Sequence, residues 1–490
     1  MEDEVKSLMN NETWIVVERP PGAKLLSAKW VFKKKDEPNG DIRYKARLVA
    51  CGYLQKAGVD YNETFSPVAR LPTIRTVLAV ALQFKLSLRH LDVKTAFLNG
   101  VLEEDIYLKY PEGIPAQSGT VLKLQKSMYG LKQSPRQLNT RFNQFITSLG
   151  FKQCPSKSCL YVRQDATSIT FICLYVDDML IACSDEKTIS ELIRQLNTEF
   201  QMTDLSEPKK FMGLNITYNM EDGYLQLDQT SYAEQLLCRF GMKDSKPVAT
   251  PLDHTKLTRS DVASTDFPYR EAVGSIMYLV LGTRPDLGFA IGYLSRFQET
   301  PDEEHATAIK RVLRYIRGTT EYQLHYHRND SQPPLKGFVD SDWASDIVDR
   351  KSTSGFLFKV YGNLVQWSSR KQPLVALSTT ESEYVAACTA TQEATWFIKI
   401  LEHMQVPLTL PISLMEDNQG CIFVAKNSET KRSKHIDTKW HFLRECVNEK
   451  KIILEYVPTQ FQEADLLTKP LPRPRLEELC RLISLKRGRV

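Results

Sequence analysis

Residues 173–180 read CLYVDDML and place two adjacent aspartates, Asp177 and Asp178, in an otherwise apolar run. The residues just before them, TFICLYV, have the composition of a buried β-strand. A carboxylate in such surroundings loses much of its hydration, which is costly unless a positive charge balances it. The stretch therefore predicts a hairpin whose tip presents two carboxylates to a cation.

The whole chain has the composition of a folded protein of several domains. It has 490 residues, 42% of them hydrophobic and 25% charged, and this length gives a prior of about three domains. The ten cysteines are scattered singly, which predicts free thiols in a reducing compartment. The sequence has no run of about eighteen apolar residues and no apolar signal region at its start, so we expect neither a membrane span nor secretion.

Positive charge is concentrated near the N-terminus. The net charge of +5 permits a polyanionic partner without requiring one. Residues 24–56, however, carry nine Lys or Arg and only three Asp or Glu. Within that region WVFKKKD and RYKARLVA flank EPNGD, whose Asn39–Gly40 pair predicts a hairpin turn. We therefore expect a basic, half-apolar hairpin.

The rest of the first half alternates between helical and strand patterns. Apolar residues at helical spacing predict a buried helix over 72–90, and another helix is predicted over 136–149. FMGLNITY and GYLQLDQ predict a second hairpin. Mostly helical patterns follow over 231–330.

The polar segment 328–335, RNDSQPPL, is the best candidate linker. After it come strand patterns, and then a helix, a strand and a helix. The chain as a whole is predicted to be of the mixed α/β (α+β) class.

Three aspartates end apolar strands in the first half: Asp92 in RHLDVKTAF, and Asp177 and Asp178. Hard cations need oxygen ligands, and Mg²⁺ typically takes one or two carboxylates together with substrate phosphates. Two such ions about 4 Å apart activate an attacking hydroxyl and neutralise the leaving group in phosphoryl transfer. An ordinary polar turn and a capping aspartate are the alternative interpretation. The apolar flanks of all three residues favour the metal site.

Several motifs resemble one family of polymerases. LYVDDML resembles the YxDD box of reverse transcriptases, and LDVKTAFLNG, KSMYGLKQSPR and YKARLVACGYLQKAGVDYNETFSPVA resemble the reverse transcriptase of copia-type LTR retrotransposons. The resemblance runs from about residue 10 to the C-terminus and implies a right-hand fold with fingers, palm and thumb. It implies that Asp92, Asp177 and Asp178 hold the metal ions, with the carbonyl of Val93 completing one site.

The same resemblance assigns roles around an incoming nucleotide. Phe97 would lie under the sugar and select dNTPs over rNTPs, unless it is a core aromatic. Gly130 would let the nucleotide approach the backbone closely, unless it is a plain turn glycine, and the preceding Tyr129 is assigned to the same nucleotide-binding set. Lys45 and Arg47 would clamp the triphosphate, unless they belong to a solvated basic face.

Other positions carry weaker implications. Lys209 would protonate pyrophosphate unless it is a surface lysine, and FMGLNITY resembles the hairpin that holds the primer 3′ end. Val176 would press on the primer terminus or the incoming sugar. The family commonly has Trp at the position of Leu138, which we expect to pack in the core. It commonly has Lys at the position of Cys51, so one possible phosphate contact would be lost here.

Four acids beside apolar elements form a second candidate set near the C-terminus. They are Asp340 in mid-strand, Glu383 at a helix start, Asp417 at a strand end and Asp465 on a final helix. Their order resembles ribonuclease H over roughly residues 335–475. The resemblance implies metal-assisted hydrolysis of the RNA strand of an RNA–DNA hybrid. The alternative is that each acid is a cap or a surface charge.

Two details of this second set stay open. Glu381 lies two residues from Glu383, so a helix points them in different directions, and the apolar face that follows favours Glu383 as the ligand. SKHIDTKWHFLRE is typical of copia-type chains. Within it His435 and His441 would touch substrate or assist product release, or else be buried or capping histidines.

Together these patterns predict three domains: fingers and palm over 1–230, a mostly helical thumb or connection over 231–333, and a ribonuclease H-like domain over 334–490. The expected activity is RNA- and DNA-directed DNA polymerisation with ribonuclease H cleavage, using two Mg²⁺ (or Mn²⁺) ions at each site. The expected partners are an RNA template, a DNA primer, an RNA–DNA hybrid, dNTPs and other element-encoded proteins such as integrase and nucleocapsid, without a membrane.

The same resemblance predicts an intracellular protein, in a cytoplasmic virus-like particle or in the nucleus. The chain starts just before the polymerase, so the nucleocapsid, protease and integrase parts are missing, and processing, a truncated genomic copy and a partial gene sequence are the alternative explanations. The alternative function is a truncated or domesticated relic that binds nucleic acid with nuclease activity only, or with none.

Overall fold

A computed structural model describes residues 1–36, 42–427 and 438–488. These residues form two compact units, one of Met1–Ala69 with Arg89–Ser206 and the other of Arg70–Leu88 with Glu207–Val490. Both units contain helices and strands, so the mixed α/β class is confirmed. Within the described ranges, no helix is both long enough and apolar enough to cross a membrane.

The elements alternate along the chain in both units. Those up to residue 204 are α1 (Glu2–Asn10), β1 (Trp14–Glu18), β2 (Leu25–Leu26), β3 (Ala28–Asp36), β4 (Ile42–Ala50), α2 (Leu71–Gln83), β5 (Ser87–Val93), β6 (Tyr107–Leu108), β7 (Thr120–Leu124), α3 (Ser134–Ser148), β8 (Lys152–Cys154), β9 (Lys157–Gln164), β10 (Ile169–Tyr175), β11 (Asp178–Cys183), α4 (Glu186–Glu199) and β12 (Met202–Asp204). Those that follow are β13 (Lys210–Phe211), β14 (Leu214–Asn219), β15 (Tyr224–Asp228), α5 (Thr230–Arg239), α6 (Tyr269–Gly282), α7 (Gly288–Leu294), α8 (Glu303–Gly318), β16 (Tyr322–His327), β17 (Lys336–Ser341), β18 (Thr353–Val360), β19 (Asn363–Lys371), α9 (Thr379–His403), β20 (Ile412–Glu416), α10 (Gln419–Lys426), α11 (Thr438–Asn448), β21 (Ile452–Tyr456), α12 (Arg473–Leu482) and β22 (Leu485–Arg487).

The main sheet of the first unit has the strand order β12-β5-β11-β10-β9-β8. Side chains alternate between the faces of a strand. On β10 this alternation places Ile172 and Leu174 in a core that also contains Phe142 of α3 and Leu192 of α4. The helices α3 and α4 therefore cover one face of this sheet.

Two predicted hairpins are present in this unit. β10 and β11 pair antiparallel up to Tyr175 opposite Asp178, which confirms the hairpin at the aspartate pair. β3 and β4 pair antiparallel from Ala28–Ala50 to Asp36–Ile42. The predicted turn at Asn39–Gly40 lies outside the described residues.

The helix predictions succeed in one place and fail in part in another. α3 confirms the helix over 136–149. The helix predicted over 72–90 is wrong at its end, because α2 stops at Gln83 and strand β5 starts at Ser87. Lys85, with φ of 55°, adopts a left-handed conformation that ends the helix. The apolar spacing continued into the strand and concealed this break.

The second unit contains two five-stranded sheets. One has the order β13-β14-β15-β16-β22, and the other β19-β18-β17-β20-β21. In the latter, β17 pairs antiparallel with β18 and parallel with β20, and β20 pairs parallel with β21. The helix α9 packs against this mixed sheet on β17, β18 and β20.

The predicted linker 328–335 joins β16 to β17 inside the second unit. The helices α5 to α8 that precede it agree with the helical pattern over 231–330. Contacts cross the linker: the hydroxyl of Tyr326 donates to the carbonyl of Leu364. The domain boundaries at 230/231 and 333/334 stay a prediction, because the two compact units do not correspond one to one with the three predicted domains.

A buried ion pair lies at the centre of the helical part of this unit. The guanidinium of Arg284 contacts the carboxylate of Asp286 at 2.7 Å, and their side chains are 2% and 0% exposed. The hydroxyl of Tyr315 also donates to this carboxylate, at 2.9 Å, and Arg284 donates to the carbonyl of Thr319, at 3.0 Å. The pair is therefore well supplied with hydrogen bonds, which is the condition under which buried charges are tolerated.

Removing one partner of this pair should be strongly destabilising. Asp286→Ala leaves the charge of Arg284 buried without its acid, and we expect a loss of about 3–5 kcal/mol in the free energy of unfolding. Denaturant titration measures this loss. As a control, Glu191→Ala removes the exposed partner of Arg194 on α4 and should leave the unfolding curve close to wild type. Equal curves for the two variants would contradict this view of the core.

Candidate active sites

Three aspartates approach one another at one end of the main sheet of the first unit. Asp92 lies on β5, which neighbours β11 in the sheet, and Asp178 is the first residue of β11. Asp177 lies in the hairpin turn, and its carbonyl accepts a hydrogen bond from the amide of Val93 at 2.8 Å. Val176, which precedes it, has φ of 57°. A β-branched residue in this region is rare, and such strain is concentrated at functional sites.

Burial and like charge act on these carboxyl groups together. Burial raises the pKa of Asp92, and the charges of Asp177 and Asp178 raise it further. Burial likewise raises the pKa of Asp177, with a contribution from Asp178. The positive charge of Lys45 opposes both pKa shifts, and that of Arg47 opposes the shift of Asp177. A cation at this position would relieve the repulsion that the carboxylates exert on one another.

One neighbour of these acids was missed in the sequence. Nε2 of His90 lies 2.9 Å from Oδ1 of Asp178. His90 precedes Asp92 by two residues on the same strand, so both side chains lie on the same face of the sheet. The period of two in RHLDV was the signal that could have revealed the histidine.

The residues assigned to a nucleotide surround one aromatic ring. The guanidinium of Arg47 lies 4.4 Å from the ring centre of Tyr129, and the ring of Phe97 meets it edge to face at 4.8 Å. Arg47 and Lys45 are two residues apart on β4 and therefore share a face. Phe97 is partly buried against the core, which agrees with the core-aromatic alternative. The structure thus brings four of the proposed contacts together, and their roles stay predictions.

Gly130 lies at a close crossing of two backbone segments. Its φ is 94°, and a Cβ there would lie 2.1 Å from the carbonyl oxygen of Ala50. The amide of Ala50 donates to the carbonyl of Tyr129 at 2.7 Å. The close approach at this glycine in the structure is therefore made by strand β4, and the expected approach of a nucleotide stays a prediction.

The weaker sequence assignments fall in different environments. Lys209 is exposed, and its carbonyl accepts from the amide of Ile216 at 2.9 Å. Leu138 lies in the core of the first unit, as expected for packing. Cys51 is also buried, and its amide donates to the carbonyl of Ser27. The substrate contacts expected at these positions stay predictions.

A tighter carboxylate group lies on the mixed sheet of the second unit. One carboxylate oxygen from each of Asp340, Glu383 and Asp417 lies within 4.8 Å of the others. Asp340 is on β17, Glu383 on the first turns of α9, and Asp417 directly after β20. In the described ranges this is the one group of three acids, histidines or cysteines spaced so closely.

Desolvation dominates the electrostatics of this group. Burial raises the pKa of Asp340 to about 7, against a lowering by Lys469. Burial and the charges of Asp340, Glu416 and Asp417 raise the pKa of Glu383 to about 11. Oε2 of Glu383 is buried and has no hydrogen-bond partner. Three oxygens and an unpartnered carboxylate atom fit a hard divalent cation, which these three residues would hold.

The ambiguity between the two glutamates has a geometric answer. Glu381 is only half-buried, and its Oε2 accepts from the amide of Leu377 at 2.7 Å. Its own amide donates to the capping hydroxyl of Ser378. Glu383, two residues further along the helix, is 6% exposed, and the charge of Asp340 acts on it. Glu381 therefore belongs to the helix cap, while Glu383 belongs to the acid cluster.

Asp465 differs from its prediction in two respects. It lies on a helix, a 3₁₀ helix over Glu463–Leu467, but this helix is not the final one, because α12 follows it. Its oxygens are bound by Nζ of Lys469 at 2.6 Å and by Nη2 of Arg475 at 2.9 Å. Nζ of Lys469 lies 3.8 Å from Asp340. Asp465 is thus linked to the acid cluster through a lysine.

Sequence reasoning also missed polar neighbours of the cluster. Glu416 is fully buried beside Asp417, and burial raises its pKa well above its ordinary value. The hydroxyl of Thr468 donates to Oδ2 of Asp340. The signals available in the sequence were the triplets MED at 415–417 and LTK at 467–469. Neither triplet indicates that its polar side chains are buried. His441 is exposed on α11, and His435 lies outside the described residues.

Comparisons with known proteins agree with the motifs. A family model described as "Reverse transcriptase (RNA-dependent DNA polymerase)" matches residues 11–254. Over 98% of its length the chain is 42% identical to the retrovirus-related Pol polyprotein from transposon TNT 1-94 of Nicotiana tabacum, of which it spans 37%. Over 62% of its length it is 32% identical to the putative transposon Ty5-1 protein of Saccharomyces cerevisiae, which it covers completely, at 100%.

The chain therefore spans little more than a third of the tobacco polyprotein's length. Among solved structures, the RNase H1 of the halophilic archaeon Halobacterium salinarum aligns with 27% of this chain and 93% of its own. The sequence identity in this alignment is 18% and the TM-score is 0.19.

A methyl group at Gly130 should be far more damaging than one at an open glycine. Gly130→Ala combines a left-handed backbone with a clash against Ala50, and we expect a loss of at least about 3 kcal/mol in the free energy of unfolding. Gly119, with φ of 78° and no atom within 4 Å of the position a Cβ would take, is the matched control. Gly119→Ala should cost roughly 1–2 kcal/mol. Similar losses at both sites would refute the close crossing.

The metal-free protein should lose stability as the pH rises through the pKa of Asp340. Its folded pKa of about 7 exceeds its ordinary value of 3.8, so the folded state binds more protons in this window. The contribution of Asp340 to the free energy of unfolding is on the order of 4 kcal/mol. It is fully present below a pH of about 4 and is lost by about pH 7. Asp340→Asn should flatten this dependence in EDTA, as measured by denaturant titration. The exposed Asp261→Asn is the control, and an unchanged slope in Asp340→Asn would contradict the assignment.

Proposed function

Because this chain belongs to the reverse transcriptase family of copia-type transposon Pol polyproteins, we propose that it is an RNA- and DNA-directed DNA polymerase with ribonuclease H activity. The observation that carries the polymerase part is the aspartate hairpin, with Asp92 beside it, inside the range that the family model matches. The fingers, palm and thumb arrangement belongs to the same proposal.

The residues of the first unit support distinct roles in this activity. Asp92, Asp177 and Asp178 would hold two divalent cations, with the carbonyl of Val93 completing one position. When bound, such ions activate the attacking 3′-hydroxyl and stabilise the leaving pyrophosphate. Lys45 and Arg47 lie close enough to influence the pKa of Asp177 and supply positive charge for a triphosphate. Phe97 and Tyr129 would border the sugar.

The acid cluster of the second unit supports hydrolysis of the RNA strand of a hybrid. Asp340, Glu383 and Asp417 would hold a divalent cation, and Asp465 would join them at the second position. Lys469 occupies part of the space between Asp340 and Asp465 and keeps their charges balanced. On this proposal the lysine would yield to the second cation when substrate binds.

Nucleic acid would be bound mainly through phosphates. The basic hairpin of β3 and β4 supplies the charge for template, primer and dNTP contacts, so affinity should fall steeply with salt. Both sites would recognise the backbone shape of the hybrid rather than its base sequence. We also propose an intracellular site of action, in a cytoplasmic particle or the nucleus, alongside the other proteins of the element.

A second candidate function is a chain in which only the nuclease works. The tighter spacing of the nuclease acids, relative to the aspartates of the first unit, favours it. The two candidates differ in one measurable property, which is Mg²⁺-dependent extension of a primer on an RNA template.

Single substitutions should separate the two activities. Asp177→Asn removes a carboxylate from the first site only, so primer extension should fall at least about a hundredfold while cleavage of hybrid RNA persists. Asp417→Asn should produce the opposite result. Gel assays with a labelled primer and a labelled RNA strand measure both activities on the same substrate.

Two results would decide against this assignment. Extension that survives Asp177→Asn would exclude the aspartate hairpin as the polymerase site. Cleavage that survives Asp417→Asn would exclude the acid cluster as the nuclease site. If the wild type cleaves hybrids without extending primers, the nuclease-only candidate is correct.

A further inference from the structure

The helix α2 is a core element of the second unit, although the sequence around it belongs to the first. Ten consecutive residues, 73–82, are buried. A helix that is buried on all sides needs partners around its whole circumference. In this unit those partners include β16, β18 and β19, which lie more than two hundred residues further along the chain.

Arg75 makes the most specific of these contacts. Its side chain is fully buried, and its guanidinium donates to the carbonyls of Val365 at 2.8 Å, Leu281 at 2.8 Å and Gly282 at 2.6 Å. The last two carbonyls lie at the C-terminal end of α6, where a cation meets the negative end of the helix dipole. The guanidinium also lies 3.9 Å from the ring centre of Trp367 on β19.

Trp367 is itself fixed by this arrangement. Its indole N–H donates to the carbonyl of Val280 at 2.8 Å, so the ring is held beside the end of α6. Arg75 thus joins α2, α6 and β19 through one planar group, and the acceptors of these three hydrogen bonds are all backbone carbonyls. Burial lowers the pKa of this arginine to about 10.

The far end of α2 is anchored to the same region of the chain. Gln83 donates to the carboxylate of Asp330 at 2.6 Å and accepts from the amide of Asn329 at 3.0 Å. The rings of Phe84 and Tyr361 meet at 6.4 Å. Both ends of the helix therefore contact residues of the C-terminal half.

A β-ladder makes an independent connection. β15 pairs antiparallel with β16, and β16 pairs with β22, which contains residues 485–487. β14 and β15 form the hairpin that resembles the primer-holding element. This hairpin is therefore part of a sheet whose last strand comes from the final residues of the described chain.

We propose that the range matched by the reverse transcriptase family model is not an independent domain. Its helix α2 and strand β15 form an interaction surface, and the partner that fits it is the C-terminal part of the same chain, from α6 onward. A cut between the two parts would therefore leave them bound as a one-to-one complex. Primer extension, if the proposed polymerase function holds, would then require both parts.

A nicked full-length chain tests this proposal. A site-specific protease sequence inserted between Asp261 and Val262, which are exposed, allows the folded protein to be cut after purification. We expect the two fragments to co-elute on size exclusion in native buffer and to separate in denaturant. Fragments that elute separately in native buffer would overturn the proposal.

Variants of the nicked protein identify the contacts responsible. Arg75→Ala takes this donor from three backbone carbonyls, two of them in buried hydrogen bonds, and we expect the dissociation constant of the fragments to rise at least about tenfold. Trp367→Phe keeps an aromatic ring and removes one N–H, and should weaken association by a smaller factor. Arg194→Ala, on the exposed face of α4 in the first unit, is the matched control and should change nothing. An unchanged constant in Arg75→Ala would exclude that contact from the interface.

Two measurements distinguish a failure of this interface proposal from a failure of the proposed polymerase function. Circular dichroism of uncut Arg75→Ala checks that the variant folds. Co-elution requires no substrate, so it tests the interface even if no primer is extended. Extension by the nicked complex and its loss from the separated N-terminal fragment would support the second step, whereas extension by that fragment alone would refute it.

Discussion

Carboxylates beside apolar strands set the main physical constraint on this molecule. Burial raises the pKa of Asp92 and Asp177 in one unit and of Asp340 and Glu383 in the other. Charges of one sign at such positions repel each other and lack hydration, so a fold keeps them only where cations can approach. Each cluster therefore depends on a nearby counter-charge.

The two clusters meet this constraint in different ways. In the first unit the counter-charge comes from the basic hairpin, through Lys45 and Arg47, which lie on a two-stranded ribbon. In the second it comes from Lys469, which lies four residues after Asp465 and bonds to it. On the proposed functions, the ribbon would move with a bound triphosphate, whereas Lys469 would be displaced by an incoming cation.

Local patterns predicted those parts of the fold that depend on near neighbours. The β10–β11 hairpin, α3, and the positions of Glu383 and Asp417 at element ends follow from alternation, helical spacing and turn residues. Asp465 was predicted on a final helix and lies on a short 3₁₀ helix with α12 after it, since the sequence pattern does not separate the two helices. The choice of Glu383 over Glu381 agrees with its burial, since apolar neighbours indicate the inward face.

Features set by distant residues could not be predicted in this way. The end of α2 depends on the backbone at Lys85, and its burial depends on β19 and α6, which no local window contains. The contact of His90 with Asp178 requires the order of strands in the sheet. Sequence position placed α2 with the predicted fingers and palm, while packing places it with the unit that contains the Asp340, Glu383 and Asp417 cluster.

On the proposed functions, the difference in spacing between the two acid clusters has a mechanistic meaning. Asp340 and Asp417 lie on or directly after strands of one sheet, and Glu383 lies on the helix that packs against it. Their carboxylate oxygens are therefore close together without a ligand. Asp177 belongs to a strained turn and Asp178 is engaged by His90. A polymerase receives phosphate oxygens with every nucleotide, and these complete the coordination of Mg²⁺. A nuclease must instead cleave a backbone that brings fewer free oxygens, so a preformed set of protein ligands suits its chemistry better.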